Sequence, residues 1–133
     1  MTLVCDTSVL INLERGNQPT IHFMENLSTM YPLLPRVTFI TQFEFLYGLQ
    51  ERSIKNKQKA LAFLNNFMVL LPSEKTAQIL VDLKYKCEQK GITLPLADLL
   101  IASVVIENKM ILVTTDPDFK QIEELKTIFV PSQ

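Results

Sequence analysis

The first residues of the chain constrain its fold more than any other segment. An apolar run, Leu3-Val4-Cys5, ends abruptly at Asp6, and two hydroxyl residues and a second apolar run follow it. An apolar run without alternation is typical of a strand that is buried on both faces, as in the middle of a parallel sheet. Asp6 has two interpretations here: it caps the following helix, or it is a ligand at the carboxyl edge of an α/β sheet. The segment by itself favours the cap.

The rest of the chain alternates between short β-forming runs and helical segments. The expected helices cover residues 7–15, 19–30, 41–49, 53–67, 73–90, 95–106 and 119–125. The expected strands after the first cover residues 36–40, 68–71, 110–114 and 126–130. Such alternation predicts a parallel sheet with helices on both faces and right-handed crossovers. We therefore expect a single α/β domain over residues 1–133, a length that can bury a real core.

Composition excludes several classes of protein. No hydrophobic run is long enough to span a bilayer, and the first residues lack the pattern of a signal peptide, so we expect a cytoplasmic protein with no membrane contact. Cys5 and Cys87 form no CxxC spacing, which suits a reducing compartment and argues against a zinc site. The one histidine, His22, has no obvious partner, which disfavours chemistry based on a histidine base. The net charge of −1 neither indicates nor excludes a nucleic-acid partner.

Asp98 stands out in the most apolar helical segment. It is the only charged residue between Pro95 and Glu107, in a stretch that is apolar almost all round and is therefore expected to be a buried helix. An acid in the first turn interacts favourably with the helix dipole, by about 0.3–1 kcal/mol. An ionised carboxylate on so apolar a helix is nevertheless costly to bury without a partner. This imbalance favours a functional role for Asp98.

Four acidic residues are expected at the same edge of the sheet. Asp6 and Asp116 directly follow strands, Glu44 lies one helical turn after the second strand, and Asp98 opens the buried helix. Each also has a local explanation as a cap or turn residue; Glu44, for example, forms a possible capping box with Thr41.

Taken together, the acids point to a metal site. Two carboxylates about 5 Å apart repel by about 3 kcal/mol at an effective dielectric of about 20. Four together would either shift their pKa values sharply upward or require divalent cations. Ligand sets of oxygen alone select Mg²⁺ or Mn²⁺, and such clusters are suited to phosphodiester cleavage. Thr7, Ser8 and Thr114 could orient the carboxylates or the attacking water.

Four motifs along the chain resemble, in this order, the acidic motifs of PIN-domain ribonucleases, and the chain's size is most similar to the VapC toxins of bacterial toxin–antitoxin pairs. The motifs are Asp6-Thr7-Ser8 with Leu10-Ile11, Thr41-x-x-Glu44 with Gly48, Asp98-x-x-Ile101-Ala102, and Thr114-x-Asp116-x-Asp118-Phe119. The resemblance implies a three-layer α/β/α fold around a mostly parallel five-stranded sheet with strand order 3-2-1-4-5.

The same resemblance implies an activity, a cofactor and partners. It implies an endoribonuclease that depends on Mg²⁺ or Mn²⁺, forms a homodimer and is inhibited by a cognate antitoxin. Catalytic and metal-binding roles are carried to Asp6, Glu44, Asp98 and Asp116. Asp118 either binds a second metal ion or only caps the helix after it. No departure from the family's pattern removes an acid.

Basic and aromatic residues are weaker candidates for partner contacts. Arg15, Arg36 and the basic segment 52–59 could guide an RNA backbone, although the charge run by itself favours a solvated helix face for the segment. Four aromatic residues could form a groove for an antitoxin segment or belong to the core: Phe23, Tyr31, Phe43 and Tyr47.

Two other functions fit part of this pattern. A phosphoacceptor receiver domain would need paired acids after the first strand and an acceptor acid after the third, whereas Asp6 stands alone and Leu70-Leu71-Pro72 contains no acid. A PIN-type protein could instead cleave DNA or act as a non-catalytic interaction module. The chain contains no base-reading or stacking motif that separates RNA from DNA.

Overall fold

A computed structural model describes residues 1–131, so residues 132 and 133 of the expected domain lie outside the described part. The strands are β1 (Leu3–Cys5), β2 (Val37–Thr38), β3 (Val69–Leu70), β4 (Ile111–Thr114) and β5 (Thr127–Phe129). The helices are α1 (Thr7–Glu14), α2 (Gln18–Leu27), α3 (Phe39–Tyr47), α4 (Ile54–Leu64), α5 (Thr76–Gln89) and α6 (Leu96–Glu107). A 3-10 helix, Pro117–Gln121, lies between β4 and β5.

The five strands are parallel and follow the order 3-2-1-4-5, which confirms the expected topology. Strand β1 pairs with β4, β4 with β5, and β2 with β3, all in parallel register. A bridge between Val4 and Arg36 joins β1 to β2. There the Arg36 N–H donates to the Leu3 carbonyl at 2.9 Å, and the Cys5 N–H donates to the Arg36 carbonyl at 2.8 Å.

Both faces of the sheet are covered by helices. Val4 and Leu112 belong to one buried cluster, which also contains residues of α5 and α6. Their neighbours Leu3, Cys5 and Val113 belong to a second cluster, which contains residues of α1 and α4. Because side chains alternate between the faces of a strand, β1 and β4 must be apolar at every position, which explains the unbroken apolar run at the start of the chain.

Helix α6 runs antiparallel to the strands, which places Asp98 at their carboxyl edge. Glu107 at the end of α6 accepts hydrogen bonds from the hydroxyls of Ser73 and Thr76 at the start of α5, so the two helices are antiparallel. A tight turn through Lys109, at a positive φ of 55°, then connects α6 directly to β4. Helices α1 and α3 begin at the ends of β1 and β2, so all three acid-bearing helices start at the same edge.

Two local predictions are wrong. Strand β2 ends at Thr38, and α3 begins at Phe39 with the Thr38 hydroxyl accepting from the Thr41 N–H at 3.1 Å. Thr38 thus supplies the cap expected from Thr41, and no capping box forms with Glu44. The β-forming residues Phe39 and Ile40 are nevertheless helical, and Ile40 lies in the core, where it is 6% exposed.

The segment after β4 also differs from expectation. The helix expected over residues 119–125 is a 3-10 helix that begins at Pro117. Its N-cap is Asp116, whose side chain accepts from the Asp118 N–H at 2.9 Å, so Asp118 is not the cap. Among residues 1–131, no helix combines the length and the hydropathy that crossing a bilayer requires.

Candidate active site

The carboxyl edge of the sheet carries the acidic residues that the sequence singled out. Asp6 lies between β1 and α1 and has the backbone geometry of an N-cap, but its side chain makes no capping hydrogen bond. Asp98 lies in the first turn of α6, and Asp116 follows β4. Of the local explanations considered from the sequence, the place of Asp98 in the first turn of α6 and a cap at Asp116 are present, whereas those for Asp6 and Glu44 are not. The carboxylates of Asp6 and Glu44 therefore need another explanation.

Asp6 is held in place by hydroxyl groups. Its side chain is 6% exposed, and its Oδ2 accepts from the Thr114 hydroxyl at 2.7 Å and from the Ser8 hydroxyl at 3.3 Å. Burial raises the pKa of Asp6, the donors at Thr114, Thr7 and Ser8 oppose that rise, and the nearby charge of Glu44 adds to it. Asp6 is thus a fixed carboxylate whose ionised form lacks a cationic partner.

Thr114 links two of the acids. While its hydroxyl donates to Asp6, the same oxygen accepts from the Asp116 N–H at 3.0 Å. The Ser8 hydroxyl oxygen likewise accepts from the Thr115 N–H, at 3.4 Å. The segment after β4 is therefore tied to the start of α1, which fixes where Asp116 leaves the sheet relative to Asp6.

Glu44 is held by the hydroxyl of Thr7, which in turn contacts the hydroxyl of Thr41. The Thr7 hydroxyl donates to Glu44 Oε1 at 2.5 Å, and its oxygen lies 3.0 Å from the hydroxyl oxygen of Thr41. Thr41 is completely buried, although the sequence suggested only a cap at this position. Its contact with Thr7 joins residues 34 positions apart and depends on the packing of α3 against α1, so no local sequence signal predicts it.

Asp98 experiences the combined charge of the cluster. Burial, followed by the charges of Asp6, Asp116, Glu44 and Asp118, raises its pKa from 3.8 to about 6. Asp98 thus interacts electrostatically with each of the other four acids. Asp118 is the outermost, because its side chain is exposed.

No basic side chain neutralises these acids within the described part of the chain. The ion pairs among residues 1–131 join Arg52 to Glu14, Lys84 to Glu88, Lys86 to Glu124, and Lys90 to Glu123. Arg52, one of the candidate RNA-guiding residues, is therefore engaged with Glu14. The acidic cluster is left with uncompensated negative charge.

The donor chemistry fits a hard divalent cation. Carboxylate oxygens are the ligands that Mg²⁺ and Mn²⁺ select. Cys5, the thiol nearest in sequence, is completely buried, and burial together with Asp6 raises its pKa to about 12, so it stays protonated. Among residues 1–131, no three acidic, histidine or cysteine side chains are close enough together to form a completed ligand set. An ion held by one or two of these carboxylates would complete its coordination with water.

Comparison with known proteins identifies the class of this fold and site. The sequence profile of the PIN domain matches residues 3–125. The chain therefore belongs to the PIN-domain family, as its four motifs suggested.

Within that class the chain is similar to VapC proteins. It is 32% identical to the Ribonuclease VapC of Rickettsia bellii, over 98% of each chain. Its fold matches a chain of VapBC2 from Rickettsia felis bound to a DNA fragment from their promoter, with a TM-score of 0.85, 25% identity and coverage of 97% of this chain and 98% of that one. It also matches a chain of DNA-bound VapBC from Salmonella typhimurium, with a TM-score of 0.83, 21% identity and coverage of 98% and 99%.

Proposed function

We propose that this protein is a metal-dependent endoribonuclease and the toxin of a toxin–antitoxin pair. The observation that carries the proposal is the cluster of acids around Asp6 and Asp98, which no basic side chain among residues 1–131 neutralises. A divalent cation held there would relieve the repulsion among these acids, and carboxylate oxygens are ligands that Mg²⁺ and Mn²⁺ prefer. The 32% identity to a ribonuclease over nearly the whole chain supports RNA as the substrate.

In this proposal Asp6, Glu44, Asp98 and Asp116 hold one or two Mg²⁺ or Mn²⁺ ions and form the catalytic set. A bound divalent ion supplies the activation of water and the neutralisation of charge on the phosphate. Asp6 presents a carboxylate that the Thr114 and Ser8 hydroxyls fix, and Glu44 presents one that Thr7 fixes. These hydroxyls orient ligands. Asp118 is the least constrained of the five acids, because its side chain is exposed.

The half-protonated state of Asp98 near pH 6 is part of the same proposal. Without an ion, burial and the charges of the other acids hold a proton on Asp98 up to that pH. Binding a cation must therefore displace this proton at or below about pH 6, and metal affinity falls as the pH is lowered through that range.

The deciding experiment is a cleavage assay on RNA and single-stranded DNA, with Mg²⁺ or Mn²⁺ and with EDTA. The protein is compared with Asp6→Asn and with a matched control, Asp82→Asn, which makes the same change on the exposed face of α5. We expect RNA cleavage with metal that is lost in EDTA and in Asp6→Asn and retained in Asp82→Asn. Cleavage of DNA alone would overturn the RNA assignment. Full activity of Asp6→Asn would overturn the proposed site.

The proposal includes a cognate antitoxin and a homodimer. Solved structures similar in fold are of VapBC, and one is described as a toxin-antitoxin complex from Klebsiella pneumoniae. Helix α3 exposes apolar side chains, among them Phe43 and Tyr47, whose rings stack with centroids 5.9 Å apart. Such a patch suits a protein interface. Sedimentation of the protein alone should show a dimer; a monomer at micromolar concentration would contradict this part.

A cytoplasmic location belongs to the proposal as well. Both cysteines are buried and free, which suits a reducing compartment. Fractionation of the producing cells tests it, and recovery of the protein outside the cytoplasm would contradict it.

A further inference from the structure

Three side chains at the carboxyl edge form one continuous hydrogen-bonded chain. The Thr7 hydroxyl donates to Glu44 Oε1 at 2.5 Å. The hydroxyl oxygens of Thr7 and Thr41 lie 3.0 Å apart. Glu44 and Thr41 lie one turn apart on α3, while Thr7 is the first residue of α1. The chain therefore fastens two helices together at the site.

The direction of this chain follows from counting protons. A threonine hydroxyl has one proton, and a carboxylate can only accept. Because the Thr7 hydroxyl uses its one proton in the hydrogen bond to Glu44, it cannot also donate to Thr41. Thr41 must therefore be the donor in the bond to Thr7. Thr41 donates to Thr7, and Thr7 donates to Glu44.

Burial makes this arrangement the only satisfactory one for Thr41. Its side chain is completely buried, and among residues 1–131 the Thr7 oxygen is its side-chain hydrogen-bond partner. A buried hydroxyl without a hydrogen-bond partner is destabilising. The hydroxyl of Thr41 thus points its proton at the Thr7 oxygen. A Thr7 hydroxyl that already accepts a hydrogen bond is a stronger donor.

We propose that Thr41 is a positioning residue that acts through Thr7 to fix the orientation of Glu44. With Oε1 engaged by Thr7, Oε2 of Glu44 remains available for a cation. Thr41 touches neither the substrate nor an ion. This inference rests on the proposed metal-dependent function, and it adds a residue that the motifs suggested only as a helix cap.

The test compares a variant that removes only the hydroxyl with one that retains it. Thr41→Val keeps the shape of the side chain and loses the hydroxyl, whereas Thr41→Ser keeps the hydroxyl. Isothermal titration with Mn²⁺ alone measures affinity, and thermal unfolding in EDTA separately measures the stability of the fold. We expect Thr41→Val to weaken Mn²⁺ binding about 5-fold, as the loss of one hydrogen bond implies, and Thr41→Ser to stay within about 2-fold.

A double variant tests whether Thr41 acts through Thr7. Thr7→Val should weaken Mn²⁺ binding by about 10-fold, and adding Thr41→Val to it should change the affinity no further. A matched control is Thr20→Val, which removes another buried threonine hydroxyl, the acceptor of a hydrogen bond from Asn12 at 3.3 Å in a region away from the acids. Its affinity for Mn²⁺ should equal that of the unmodified protein.

The outcomes separate this inference from the proposed function. If the unmodified protein binds Mn²⁺ and cleaves RNA but Thr41→Val binds the ion equally well, the positioning role is overturned and the function stands. Effects of Thr7→Val and Thr41→Val that add independently would overturn it too. If the unmodified protein does not bind Mn²⁺ at millimolar concentration, both proposals fail.

Discussion

The two ends of helix α6 carry carboxylates in opposite situations. The helix dipole should favour the negative charge of Asp98 in the first turn and disfavour that of Glu107 at the end. The pKa values run the other way: the pKa of Asp98 is raised to about 6, and hydrogen bonds from Ser73 and Thr76 lower the pKa of Glu107. The immediate surroundings of each carboxylate therefore outweigh a dipole contribution of about 0.3–1 kcal/mol.

The opposite pKa shifts of the two carboxylates distinguish a residue that stabilises the fold, Glu107, from a candidate functional residue, Asp98. Glu107 joins α6 to α5 and stabilises the fold in its ionised form. Asp98 destabilises the fold in its ionised form, because burial and four other acids oppose its charge. A carboxylate kept under such repulsion marks a candidate functional site rather than a contact that stabilises the fold.

The largest expected effect concerns cleavage. Asp6→Asn should lower RNA cleavage by more than about 100-fold, since it removes a proposed ligand rather than a supporting group. Glu107→Gln, at the opposite end of α6, should stay within about 2-fold. The measurement is the initial rate of cleavage of a labelled RNA with Mn²⁺. A comparable loss in both variants would mean that the two ends of the helix do not differ in function.

The second effect is stabilisation by metal. Mg²⁺ or Mn²⁺ at about 100 times its dissociation constant should stabilise the native protein by about 2.7 kcal/mol. Thermal unfolding with metal and with EDTA measures this shift, which Asp6→Asn should lose and Asp82→Asn should keep. An unchanged melting temperature of the unmodified protein at millimolar metal would leave the acidic edge without a cation.

The third effect concerns stability without metal. Asp98 binds its proton in the native protein at a pH where the unfolded chain has lost it, so its contribution to stability falls as the pH rises from about 3.8 to about 6. Above that range, Asp98→Asn should be more stable than the unmodified protein by about 1–2 kcal/mol in EDTA, a figure reduced because the side chain is half-exposed.

Urea unfolding in EDTA from pH 4 to pH 8 measures this difference. The advantage of Asp98→Asn should be absent near pH 4 and complete above pH 7. A variant less stable than the unmodified protein at pH 8 would make Asp98 a structural residue like Glu107.

Much of this comparison could be predicted from the sequence. The unbroken apolar run before Asp6 indicated a strand buried on both faces, and the apolar surroundings of Asp98 indicated an unusual charge. Both are local signals of burial. The structure confirms the parallel sheet and its strand order, and it removes the capping explanation for Asp6.

The remainder depends on contacts that no local pattern contains. Thr38 and Thr41 both have side chains suited to an N-cap, so the local sequence does not decide between them; in the structure Thr38 caps α3, and Thr41 is buried inside it. The bond from Thr7 to Glu44 joins residues 37 positions apart. The bonds from Ser73 and Thr76 to Glu107 likewise require α5 and α6 to be packed first.

The smallest expected effect is at Glu107. Glu107→Gln replaces one acceptor oxygen by an amide nitrogen, which mismatches one of the two hydroxyl donors at the start of α5. Because this contact is largely solvated, the loss of stability at pH 7 should be less than about 1 kcal/mol.

The pH dependence at Glu107 follows from its lowered pKa. The native carboxylate contributes stability at pH values above its ordinary pKa of 4.5, and this contribution is lost as the pH falls through the lowered pKa of the folded protein. Relative to the unmodified protein, Glu107→Gln should therefore lose stability as the pH rises, whereas Asp98→Asn should gain it. Parallel pH profiles for the two variants in urea unfolding would refute the distinction between the two ends of α6.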